Sequence, residues 1–253
     1  MKLVKYLSAV ALVSASAFSQ AAVMDFWATD GWNMIASEDQ TGDFDRVSPG
    51  LGGQDFDAEY LFYRYDQQTN VLSLGLQTGF DMVDGHVFHD GQDFYAGDLA
   101  VGFNGAGLNY AVDFGLYTMD FTTDTSRWHY DPTEVNSSAG ANGVDPAGFY
   151  SVSEWNNNIT YPESVPFAMD EGSLVTGLLS NEAGQQGDSY FRTVSFDLSS
   201  LGLGDTFELS THWTMSCGND VVAATVNVPE PNSIYLFALG LLALAGVRRI
   251  KKA

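Results

Sequence analysis

The stretch EYLFYRY at residues 59–65, followed by DQQTN at 66–70 and VLSLGLQ at 71–77, decides the fold class. Both flanking runs alternate and are built from aromatic and aliphatic residues, the pattern of a half-buried strand rather than a helix. The five polar residues between them are enough to turn the chain back as a hairpin. The unit recurs at DLAVGF (98–103) and LNYAVDF (108–114), which flank Asn104, Gly105, Ala106 and Gly107, a connection rich in residues that tolerate positive φ. Tyr190–Leu198 and Phe207–Met215 repeat the pattern around Gly202 and Gly204. Many short strands and no sustained 3.6-residue apolar period predict an all-β domain, an antiparallel β-sandwich or jelly roll. Residues 131–146 (DPTEVNSSAGANGVDP) read as a long loop, and Val221–Val228 as a last strand or an extended stalk.

Residues 207–217 (FELSTHWTMSC) make the most specific internal expectation. Phe207, Leu209, Trp213, Met215 and Cys217 share one parity and should face the core, with Glu208, Ser210, His212, Thr214 and Ser216 on the other side. Cys217 is the only cysteine, so no intramolecular disulfide can form and no thiolate zinc site can be built from cysteine alone. It should be a buried small hydrophobe near Trp213. Its spacing of five from His212 sends the two side chains to opposite faces, which argues against a nucleophilic dyad.

Charge is concentrated in the body. Between residues 6 and 247 stand four arginines (Arg46, Arg64, Arg127, Arg192), no lysine and all 32 acidic residues, a formal charge of −28. Such a field excludes nucleic acid as a partner, attracts divalent cations or polycations, and keeps an exported protein soluble.

The two ends of the chain read as addresses. Lys2 and Lys5, an apolar stretch Leu3–Val13 and the small-residue exit Ser19-Gln20-Ala21 predict a signal helix over 1–21, with the Sec machinery and signal peptidase as partners and a mature chain starting near Ala22. At the other end, the 14 uncharged residues Ile234–Val247 would span about 21 Å as a helix. That is a marginal crossing of the roughly 30 Å bilayer core, helped by bilayer thinning and snorkelling. Ile234, Leu236, Phe237, Leu239, Leu241, Leu242, Leu244 and Val247 supply the expected membrane anchor, a short C-terminal transmembrane helix. Arg248, Arg249, Lys251 and Lys252 hold its end in the cytoplasm, which puts everything before Pro229 outside. The implied division is a signal peptide at 1–21, an ectodomain at 22–220, a stalk or last strand at 221–227 and a sorting tail at 228–253. About 205 residues between leader and tail suit one domain.

Val228, Pro229, Glu230 and Pro231, the short apolar helix and the terminal basic cluster resemble the PEP-CTERM sorting signal of Gram-negative bacteria. The resemblance implies recognition and cleavage near Pro-Glu-Pro by an exosortase, an inner-membrane intermediate, then a place at the cell surface or outside the cell. Proline suits that site, because its fixed φ and missing N–H keep the segment extended and out of the following helix. The segment THWTMSCGND (211–220), with His212, Trp213, Cys217, Gly218, Asn219 and Asp220, resembles one that precedes the sorting signal in some families of exosortase-dependent surface proteins. Those families imply a β-rich exported domain and no enzymatic role. Residues 96–99 (AGDL) and the strand after them are also similar to those families.

Metal-binding chemistry centres on DGHVFHDGQD at 84–93 within the acidic stretch Asp81–Asp98, with Asp39–Asp45 and Asp55 with Asp57 as further candidate loops for calcium. On a strand, a spacing of three sends His86 and His89 to opposite faces, so a transition-metal site would need a turn there. Asp81, Asp84, Asp90 and Asp93 are candidate ligands for a structural Ca2+, a cation that takes hard oxygen ligands from Asp-rich loops containing glycine. No other cofactor is required. Trp27, Trp32, Trp128, His129, Tyr130, Trp155 and Tyr161 fall in segments read as irregular; they could cover the ends of the sandwich or stack on sugars. Three functional classes follow: a non-enzymatic surface or matrix protein associated with extracellular polysaccharide, a carbohydrate-binding module, and a secreted hydrolase using paired carboxylates.

Overall fold

The computed structural model describes residues 22–37, 53–117 and 146–228, apart from 158, 160, 162, 163 and 205. The expected signal helix, the C-terminal membrane helix, the candidate loop Asp39–Asp45, most of the loop at 131–146 and the aromatics Trp128, His129 and Tyr130 lie outside the described residues. No described helix is long and apolar enough to cross a membrane.

The described residues form thirteen strands in chain order: β1 Asn33–Ser37, β2 Ala58–Asp66, β3 Val71–Thr78, β4 His86–His89, β5 Gln92–Tyr95, β6 Leu99–Phe103, β7 Tyr110–Asp113, β8 Gly148–Asn156, β9 Ala168–Gly177, β10 Ser180–Gln186, β11 Ser189–Asp197, β12 Phe207–Thr214 and β13 Val221–Val228. One sheet has the order β1-β2-β3-β11-β10, the other β13-β12-β6-β7-β8-β9, and β4-β5 stands as a separate hairpin. Every strand pair is antiparallel, as the hairpin reading predicts.

The two sheets share one core. Leu61, Leu72, Leu74 and Leu76 from the first sheet meet Leu99, Val101, Val112, Leu209 and Trp213 from the second, all at most 1% exposed. Burying each such side chain contributes roughly 1.5–3 kcal/mol. Phe149 on β8 stacks on Phe196 on β11 with centroids 4.4 Å apart, and Tyr65 meets Phe207 edge-on at 5.1 Å. These ring pairs close the layers into a β-sandwich.

The turns use the residues the sequence offered. Asn70 closes β2–β3 at φ 55°, and Asn104, Gly105 and Gly107 close β6–β7 at 53°, 70° and 85°. The third expected unit differs. β11 pairs with β3 and β10, whereas β12 pairs with β6 and β13, so Tyr190–Leu198 and Phe207–Met215 belong to different sheets. Alternation marks a strand without naming its partner, and the connection through the 3-10 turn Ser199–Leu201, Gly202 and Gly204 carries the chain from one layer to the other.

A strap covers part of the first sheet's outer face. A short helix α1, Asp25–Thr29, lays Trp27 flat on Phe62, with centroids 4.4 Å apart and an interplanar angle of 13°. Trp27 is 1% exposed and so is no surface platform, and Trp155 lies within β8. Gly75 makes room for the strap: a Cβ there would sit 2.4 Å from the Trp27 ring.

Candidate functional site

The sorting tail joins the sandwich without a spacer on its N-terminal side. β13 pairs with β12 along its whole length, from Val221 opposite Thr214 to Val228 opposite Phe207. Val228 is 2% exposed and belongs to the core. Of the two readings offered for Val221–Val228, the structure has the strand; Pro229, Glu230, Pro231, the apolar anchor and the basic end lie outside the described residues.

The segment before β13 is a structural knot. Phe207, Leu209, Trp213, Met215 and Cys217 all join the core, as their parity predicts. Beyond Thr214 the chain turns tightly through Gly218 at φ 64° and the Gly218 N–H donates to Met215 C=O at 2.8 Å. Asp220, 4% exposed, accepts from Ala58 N–H at 2.7 Å through Oδ2 and from Val221 N–H at 2.8 Å through Oδ1. Ser216 and Tyr95 exchange two bonds, and Ser164 Oγ donates to Gly218 C=O at 2.5 Å. Cys217 Sγ lies 2.6 Å from Asn219 Oδ1. The polar residues of this segment tie β2, β5, β13 and the Ser164 turn together.

His212 goes beyond the parity expectation. It belongs to the polar set, yet it is 7% exposed, with Ala100 and Ala223 as its partners across the sheet and no hydrogen-bond partner for Nδ1 among the described residues. Burial pushes its imidazole down to about 4, with a backbone hydrogen bond opposing. Thr214 and Ser216, at 0% and 2% exposure, are equally enclosed.

The acidic candidates have separate hydrogen-bond partners. Asp81 Oδ1 accepts from the backbone N–H groups of Val83 at 2.9 Å and Asp84 at 3.1 Å, an Asx turn. Asp93 is buried against His86 Nε2 at 2.6 Å across the β4–β5 hairpin, while Asp90 is solvent-exposed. His89 turns the other way, edge-on to Phe56 at 5.2 Å and 3.9 Å from Asp55. Among the described residues no group of three or more His, Cys, Asp or Glu side chains could hold a metal ion.

Three features had little signal in the sequence. Arg192, 7% exposed, donates through Nε and a terminal nitrogen to Met82 C=O at 2.9 and 2.7 Å and to Asn181 Oδ1 at 2.6 Å. Burial lowers its guanidinium to about 10, with Asp81 opposing. Glu59 sits at a register shift between Ala58 and Tyr60, a bulge that turns it away from the core its parity would give it. Burial raises its carboxyl above the ordinary value, a shift that Asp57 adds to and hydrogen bonds from Ser189, Gln77 and Gln54 oppose. Finally, an open groove of about 540 Å³ lies over the β2–β3 turn, lined by Arg64, Tyr65, Asp66, Gln67, Gln68 and Ser195. Arg64 stands 5.0 Å from the centroid of the half-exposed Trp32 ring.

Residues 227–249 match the family model described as the PEP-CTERM protein-sorting motif. No curated protein and no solved structure matches the chain. The motif marks an exosortase-targeted protein, exported through a membrane-anchored intermediate to the cell surface.

Proposed function

We propose that this chain is a non-enzymatic surface or extracellular-matrix protein. A signal peptide over 1–21 delivers it, the tail anchors it in transit, exosortase cuts near Pro229–Pro231, and the acidic sandwich then acts in adhesion or in the extracellular polysaccharide layer. The sorting motif at 227–249 carries this reading. The knot at 211–220 supports it, since that segment resembles one found before the sorting signal in such surface proteins and Asp220 and the Gly218 carbonyl are held in internal bonds. The test is mass spectrometry of surface protein from the native host. Released molecules are expected to lack Arg248 to Lys252, and intact tails on most of them overturn the proposal.

A second reading, glycan binding, is favoured by the groove at Arg64. It offers a guanidinium, two amides, hydroxyls and the neighbouring Trp32 ring, the mix of planar donors and aromatic face that holds sugars. It presents one carboxylate, Asp66, where glycoside hydrolysis uses a pair. A glycan array with the wild type and Arg64→Ala decides this: binding that the substitution abolishes supports it, and a blank array overturns it.

A further inference from the structure

Glu59 is a buried carboxylate whose described partners are all neutral. It is 4% exposed, and its Oε1 accepts from Gln54 Nε2 at 2.9 Å and Ser189 Oγ at 2.6 Å. Its Oε2 accepts only from Gln77 Nε2, at 2.6 Å, among the described residues. A carboxylate oxygen accepts two donors, so Oε2 has room for one more. No described cation forms an ion pair with Glu59, and its charged neighbour Asp57 has the same sign. Burying such a charge without an opposite one is costly.

The first residue of the expected mature chain, solvent-exposed Ala22, is held by the same glutamine that donates to that oxygen. Gln77 Nε2, the donor to Glu59 Oε2, also donates to Ala22 C=O at 2.9 Å. Gln77 Oε1 in turn accepts from Met24 N–H at 3.0 Å and Trp27 Nε1–H at 2.8 Å, so one side chain joins the beginning of the strap to the carboxylate. The Ala22 nitrogen is two bonds from the carbonyl carbon that this glutamine holds.

We infer that Glu59 is the docking site for the α-ammonium that leader removal creates on Ala22. The inference rests on the proposed export processing. Hydrolysis of the Ala21–Ala22 amide consumes one water, leaves a carboxylate on Ala21 and an amine on Ala22, and the amine takes up a proton at neutral pH. A neutral peptide N–H thereby becomes a cation with three donors beside an unpaired buried carboxylate. Pairing locks Met24 and Trp27 onto the sheet, so the strap gains its last contact only after the leader is gone. The chain still carrying its leader lacks that contact.

The experiment uses the chain from Ala22 to Ala253, purified in detergent with a native Ala22 start, and the same chain acetylated at Ala22, each also carrying Glu59→Gln. The free amine is expected to melt about 2–4 °C above the acetylated form, and Glu59→Gln is expected to erase the difference. Equal melting of the two wild-type forms, or a difference that survives Glu59→Gln, overturns the pairing. The N-terminus of protein exported by the native host is sequenced in parallel. A start away from Ala22 overturns the processing on which the lock rests, separately from the pairing.

Discussion

Two buried basic side chains, His212 and Arg192, behave in opposite ways: the first is held neutral and the second stays charged. His212 is held neutral in the folded protein down to about pH 4, whereas an unfolded histidine takes up a proton near 6.5. Its contribution is therefore whole above pH 6.5 and is lost as pH falls toward 4, on the order of 3 kcal/mol in all. Urea melts at pH 7 and pH 4 for wild type and His212→Gln measure it, and the wild type should lose more stability over that interval than the variant. Arg192 stays charged at neutral pH and serves the carbonyl of Met82. Arg192→Met strips that acceptor of two donors and should destabilise by about 3 kcal/mol, and Arg192→Lys should not restore it because the forked geometry is lost. Neither role was legible locally. His212 sits in the polar register of its strand, and an arginine in an alternating run usually faces water.

At the scale of elements, the strap and the knot make separable contributions. Gly75→Ala places a methyl where the Trp27 ring lies, so α1 should lift from the sheet. Tryptophan fluorescence should shift to the red and protease should cut near residues 25–29, while the two-sheet core persists. Asp220→Ala leaves the Ala58 and Val221 amides without acceptors and should destabilise by about 2–3 kcal/mol in a thermal or urea melt. The strands themselves were legible because alternation is a local property; Cys217 is buried as expected, but in the turn that follows β12 rather than on the alternating strand. The bulge at Glu59 was not, since it depends on how β2 meets β3. The pairing of β11 with β3 spans a sequence separation that no local pattern encodes.

At the scale of the whole molecule, a formal −28 between residues 6 and 247 sets the solution behaviour. Self-repulsion on that scale is relieved by screening, so monovalent salt should raise the melting temperature. Asp84→Asn with Asp90→Asn should leave any calcium response unchanged, because among the described residues no group of three or more His, Cys, Asp or Glu side chains could hold a metal ion. Melts in EDTA, calcium and magnesium at matched ionic strength check both statements; a calcium-specific rise that the double variant removes would place a site there after all. The sequence alone determined the all-β class, the hairpins at 59–77 and 98–114, the core face of β12 and the sorting tail, since each is written in contiguous residues whose periodicity, turn chemistry or order is its own signal. Only the tertiary structure decided that β11 and β12 lie in different sheets, that Trp27 caps a sheet, and that Glu59 and Ala22 share one glutamine. Those facts join residues far apart along the chain, and such contacts form only when burial of apolar surface brings the layers together.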